Sequence, residues 1–258
     1  MRLIPRSLAV ACGLFAVLAV PAAAEDLTVV FKVTGKDGVT TSTQYMSSDR
    51  WKVSDASQDV MMEFATRRMV MADHQKKEYW EATLDELNAQ MQQLTAQMDE
   101  QMKKMDEQMK GLPPAMREKM AGMVGGAASA VTVTKGTGSR RIAGYDTEQY
   151  VMSMGDMVKT EMWTTSALPI PAPALDFRNT VMTLNPIFKN AAAKLAGEMS
   201  KVKGYTLAET TTAKVLGKTM ETSREATEVK KGPIPASVFQ IPAGYKKTET
   251  PFAKAGRR

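Results

Sequence analysis

Cysteine and histidine are almost missing from this chain: Cys12 and His74 are the only ones. A single histidine without a cysteine beside it cannot build a zinc site. A nucleophilic triad would rest on His74 alone, and no G-x-S-x-G motif supplies a serine. Glycine motifs that cradle phosphate are absent too. The carboxylates fall mostly on helix surfaces and hairpin turns. These absences point away from an enzyme, and no cofactor is called for. Aromatic residues make up only 6% and do not interleave with a basic stripe, so nucleic acid is not an expected partner. The longest apolar run, Leu8 to Val20, is about 13 residues, short of the ~20 that span a bilayer as a helix.

That run has export features around it. Arg2 and Arg6 precede it, and Pro21 and Ala22-Ala23-Ala24 follow it before Glu25. The order predicts a secretory signal peptide over residues 1–24, cleaved after Ala24, and a periplasmic destination. Cys12 lies inside the run, so the mature chain would have no disulfide and no transmembrane segment. Loss of Arg2 and Arg6 takes the formal charge from +6 to +4. Lys246, Lys247, Lys254, Arg257 and Arg258 gather in a basic tail, 246–258, read as solvated. Weak contact with anionic headgroups at a membrane surface is a second use for it.

Period-two alternation and polar turns predict antiparallel strands from Leu27 to Trp80. Thr83-Leu84-Asp85-Glu86 then forms a capping box. A stripe of Leu84, Leu87, Met91, Leu94, Met98, Met102, Met105 and Met109 follows at steps of three and four. Gly111 and Pro113-Pro114 end this helix, a shorter one carries Met116, Met120 and Met123, and Gly125 to Ala130 is a loop. Strands return at Val131–Lys135, Gln149–Met154 and Met157–Thr164. Leu168 to Pro173 reads as extended and Phe177 to Leu184 as helical. Asn185-Pro186 caps another helix that ends at Gly204. Final strands cover Tyr205–Thr211, Lys214–Leu216 and Thr219–Val229, before an irregular closing segment, Gly232 to Tyr245. The order is that of a single α+β domain, 25–245, with a helical insertion at 84–123 and helices against one face of an antiparallel sheet.

Methionine is unusually frequent, at 21 of 258. Several readings compete. A leucine–methionine stripe is the ordinary face that docks on a sheet. It is also a soft surface that repacks around apolar ligands. In that reading Met91, Met98, Met102, Met105 and Met109 form a lid. Thioethers also suit Cu(I), with Met69, Met71 and His74 as the alternative metal set. Met152-x-Met154 has a similar spacing, and a coiled-coil seam is a further use of the stripe.

Three stretches carry a family resemblance: Arg50-Trp51-Lys52-Val53 with Met69 to Tyr79; Ile142 to Tyr150 with Glu161-Met162-Trp163; and Ile234 to Tyr245. The chain resembles exported bacterial proteins grouped as a domain of unknown function. These in turn are similar to the lipoprotein-localisation carriers (LolA/LolB-like). The resemblance implies a curved, incomplete β-barrel holding acyl chains on its concave face under short helices. It implies a non-enzymatic carrier for an apolar small molecule, a lipid or an acylated protein. A structural or interaction module of the envelope is the plainer alternative.

Overall fold

A computed structural model of the chain describes residues 25–36, 38–109, 131–155, 157–184, 192–215 and 218–255. For 98–99, 101–109, 182–184, 192–193 and 215 the description stops at the backbone. The expected signal peptide, Gly111–Pro114 break, Met116–Met123 helix, Gly125–Ala130 loop and Asn185-Pro186 cap lie outside these residues.

The first six strands form one meander: β1 (Leu27–Gly35), β2 (Gly38–Met46), β3 (Arg50–Asp55), β4 (Gln58–Glu63), β5 (Arg68–Asp73) and β6 (Glu78–Thr83). Helix α1 (Leu84–Met109) follows, with the capping box formed: the Thr83 N–H donates to Glu86 Oε2 at 2.7 Å, and the Glu86 N–H to Thr83 Oγ1 at 3.2 Å. A second meander runs β7 (Val131–Ile142), β8 (Tyr145–Met154), β9 (Val158–Thr165), then helices α2 (Ala172–Leu184) and α3 (Ala192–Met199), then β10 (Tyr205–Val215) and β11 (Lys218–Lys231). After a 3₁₀ turn at Ala236–Phe239 come β12 (Lys246–Lys247) and α4 (Pro251–Ala255).

All twelve strands join one open sheet in the order β12-β6-β5-β4-β3-β2-β1-β11-β10-β9-β8-β7. Every pairing is antiparallel except β12 with β6. The two meanders meet at a single seam, β1 against β11, with Leu27 opposite Lys231. The sheet curls. Neighbouring strands lie about 4.8 Å apart, so β7 and β11, separated by three strands, would be far apart in a flat sheet. Yet Arg140 of β7 reaches Glu225 of β11 at 2.9 Å and lies 4.5 Å over the Trp163 ring. The bend falls where the β7–β8 register shifts, between Lys135 and Ser139. A Cβ at Gly136 would stand 2.4 Å from Gln149 Oε1, and one at Gly138 2.8 Å from Trp163, so glycine lets β7 fold over them.

One face carries Val29 and Phe31 of β1, Met46 of β2 and Trp51 of β3, in a cluster with Tyr205 and Leu207. Leu84 and Leu87 of α1 pack with Phe64, Ala174 and Phe177. Val133, Tyr150 and Met162 pack against Met199 and Val202, just past α3. Helices on this face therefore lie over both arms of the sheet, with a gap between them.

Three expectations are corrected. Strand β7 runs to Ile142 rather than stopping at Lys135, because Gly136 and Gly138 bend it without ending it. Helix α2 starts at Ala172 rather than near Phe177. Pro173 sits in its first turn, where a missing N–H costs nothing, and the Pro171 carbonyl accepts from Ala174 at 3.0 Å. The basic tail, as far as Ala255, is docked. The Lys246 N–H donates to the Lys77 carbonyl at 2.9 Å, and Thr248 to Tyr79 at 2.7 Å. Thr250 is buried, caps α4 and donates to Gln90 of α1. The tail thereby pairs the outer edge of β6, which would otherwise be free.

Candidate functional site

Clefts of about 470, 210 and 400 Å³ open at three places. The first, beside β5, β6 and α4, has mixed charge: Asp73, Glu78 and Glu249 with Lys76 and Lys254. The second lies between β4–β5 and the closing segment at Phe239–Ile241. The third sits in the gap between α2, α3 and the β9–β10 junction. None of the three is lined by the described side chains of α1.

The third cleft has apolar walls from Pro169, Ile170, Leu175, Ala196, Met199 and Val202. Among the described residues its charged lining is Arg178 and Lys203, with no Asp or Glu. At about 400 Å³ it falls in the range of small-molecule sites, roughly 300–1,000 Å³. Its base depends on Gly204, which takes φ +78°, though the helix expected to end there stops at Met199. The Gly204 backbone presses on the chain leaving β9: an added Cβ would stand 2.0 Å from the Thr165 carbonyl oxygen.

The next residue, Tyr205, is buried, and its hydroxyl donates to Gln44 Oε1 at 2.5 Å, tying β10 to β2. Burial pushes the Tyr205 phenol well above its ordinary value. A raised folded-state value means its contribution to stability is complete below the unfolded value of about 10 and is lost as pH rises through the folded one. In an alkaline titration followed at 295 nm, one of the six tyrosines should ionise only together with loss of the circular-dichroism signal. Six tyrosines ionising before any unfolding would contradict this.

The sequence-predicted site residues are dispersed. Met91 is half-buried on α1. Met98, Met102, Met105 and Met109 belong to the same helix, and their side chains lie outside the described residues. Among the described α1 side chains, only Leu84 and Leu87 are fully buried. Met69 packs against the cluster of Phe64 and Leu84, and Met71 lines the first cleft. Both point to the same face of β5. His74 is engaged elsewhere. Its Nε2 faces Asp59 Oδ1 at 3.3 Å, and its Nδ1 is 2.8 Å from the Tyr245 hydroxyl. A carboxylate only accepts, so in the neutral ring Nε2 carries the proton and Nδ1 accepts from Tyr245. Asp59 pairs across the strand with Ala72, on the opposite face of β5 from Met69 and Met71. The thioethers and the imidazole do not converge. Among the described residues no group of three His, Cys, Asp or Glu side chains could hold a metal ion.

His74 is thus not the solvated turn histidine that its neighbours Asp73 and Gln75 suggest. It belongs to a cluster on the face away from the helices. There Lys52 Nζ meets Asp59 Oδ2 at 2.7 Å, with side chains only 9% and 4% exposed. Lys52 also donates to the Val238 carbonyl at 2.9 Å, and Ser54 to Asp59 at 2.6 Å. This cluster straps the closing segment across β3 and β4. Lys52, His74, Val238 and Tyr245 fall within stretches that carry the family resemblance, but nothing in the sequence joined those stretches.

The fold and the third cleft define an open, curled antiparallel sheet whose helices frame an amphiphilic hollow. Residues 112–245 match the family described as a domain of unknown function (DUF4412), slightly more than half of the chain, and the chain belongs to that family. Every residue lining the third cleft lies in the matched stretch. No curated protein matches the sequence. Among solved structures the chain is similar to PNGF-II, at 10% identity and a TM-score of 0.41, covering 91% of this chain and 33% of that one. It thus spans about a third of that protein's length. It is similar to an uncharacterized conserved protein from Thermus thermophilus, at 7% identity and a TM-score of 0.45, covering 88% and 91%. It is also similar to a LolA superfamily protein from Nitrosomonas europaea, at 8% identity and a TM-score of 0.26, covering 85% and 91%. No helix among the described residues is long and apolar enough to cross a membrane.

Proposed function

We propose that this chain is a non-enzymatic, exported binding or carrier protein for an apolar ligand such as a lipid or acyl chain, held in the cleft between α2 and α3. The observation that carries the reading is that cleft: a hollow of about 400 Å³ with six apolar wall residues, between the helices that lie over the two arms of the sheet. Apolar walls with a few polar groups are the usual make-up of a ligand site. The export pattern in residues 1–24 supports a periplasmic setting. Helix α1 enters as a cover through its first turns, which seat Leu84 and Leu87.

Native mass spectrometry of the protein purified from its own cell envelope tests this. The expected spectrum contains a co-purifying mass of lipid size that is lost in a Leu175→Asp variant. A protein that carries no lipid, and that leaves a fluorescent fatty-acid probe unbound at micromolar concentration, would overturn the reading.

A further inference from the structure

Among the described arginines, Arg67 and Arg141 meet no carboxylate but are exposed to solvent. Arg50, Arg68, Arg140 and Arg224 each meet a carboxylate at 2.5–3.0 Å. Arg178, on α2, meets none among the described residues. Its Nε is shut off from solvent and has no hydrogen-bond partner among the described residues. Burial alone perturbs the group, pulling its pKa down, with no charged neighbour to offset the effect. The connection between α2 and α3, residues 185–191, contains no Asp or Glu in its sequence. A guanidinium carries five donors, and leaving a charged one half out of water and unpaired is costly. Buried charges are ordinarily paired, and this one faces a cleft whose described lining holds a second cation and no carboxylate.

We infer that the cleft takes a ligand bearing an anionic headgroup, phosphate or carboxylate, with Arg178 as its anchor and Lys203 as a second cation at the rim. This rests on the carrier reading above and names its ligand class. The guanidinium suits such a group because its planar fork matches two anionic oxygens at once. Lys203 is held beside the cleft by a 3.1 Å bond from its Nζ to the Ser200 carbonyl, which leaves the ammonium other protons to donate. The apolar walls would take the hydrocarbon part, so the same hollow serves both ends of an amphiphile.

The test uses the mature chain with three probes, each below its critical micelle concentration where it has one: dodecyl phosphate, dodecanol and inorganic phosphate. Binding is read by calorimetry for the wild type, Arg178→Met and Arg178→Lys, with thermal unfolding as the check on folding. Dodecyl phosphate should bind the wild type at least tenfold more tightly than dodecanol. Arg178→Met should erase that preference and leave dodecanol binding unchanged, while Arg178→Lys should keep part of it. Equal affinity for dodecyl phosphate and dodecanol in the wild type, a result that needs no variant, overturns the headgroup inference and leaves the carrier reading standing. Failure of both amphiphiles to bind overturns the carrier reading. Inorganic phosphate binding as tightly as dodecyl phosphate, with that binding lost in Arg178→Met, supports the anion site and overturns the apolar one.

Discussion

Replacing Asp59 by alanine is expected to lower the unfolding free energy by about 3–5 kcal/mol, the usual cost of breaking a buried ion pair from one side. The reason is the position of Lys52. Its side chain is 9% exposed, and its two partners are the Asp59 carboxylate and the Val238 carbonyl. Without Asp59 the ammonium keeps one neutral acceptor in a site with little access to water. Ser54 and the Nε2 proton of His74 also lose their acceptor. For a domain of this size the loss corresponds to a fall in melting temperature of roughly 6–20 °C. The double substitution Lys52→Met with Asp59→Leu should recover part of the loss, because the stranded charge is gone. The closing segment gives a second readout. Since Lys52 anchors Val238, amide exchange across 236–245 should accelerate in Asp59→Ala more than exchange in β10 and β11. A melting temperature within 2 °C of wild type would show that the pair is not buried in solution.

Gly204→Ala is expected to cost roughly 2–4 kcal/mol, by a different mechanism. The position combines φ +78° with a neighbouring carbonyl 2.0 Å from where the methyl would go. The first feature disfavours any residue with a side chain in the L configuration. The second cannot be relieved by a rotamer change, because the atom in the way is backbone. Either the chain leaving β9 or the loop after α3 must shift, and Ser166 and Val202 from these two segments line the cleft. Thermal unfolding measures the loss. A Gly144→Ala control also has positive φ, at 87°, but meets nothing within 4 Å. It should lose less. Equal losses in the two variants would mean that the close approach to Thr165 does not exist.

Much of the sheet was legible because its signals are local. Alternation in Leu27–Val33, the capping box at Thr83 and Glu86, and the turn at Ile142–Tyr145 all depend on residues within a few positions of one another. The errors came from residues with two meanings. The strand expected from Val131 ends at Lys135, but Gly136 and Gly138 make room for Gln149 and Trp163 and carry β7 onward. Pro171 and Pro173 read as extended chain, but they start a helix. The lysines at 246–247 read as solvated charge, although their backbone pairs with β6 and their neighbour Thr250 caps a helix. Lys52 has the look of an exposed strand residue between Trp51 and Val53; the segment that covers it lies 186 residues further along the chain. Arg178 gave no signal at all, because its significance is the absence of a nearby carboxylate, and only three-dimensional neighbours reveal that.

The place of β1 sets a timetable for synthesis. β1 is made first among the strands, yet its second neighbour, β11, ends only at Lys231. Until then the early meander has a row of unsatisfied amides and carbonyls along Leu27–Gly35, and the later meander has the matching row. Hairpins within each half are short-range and quick to form, whereas zipping the halves together closes a loop of nearly the whole chain and comes late. Through that interval the β1 edge is where a nascent chain would add a strand from another molecule, and where a chaperone has most to shield.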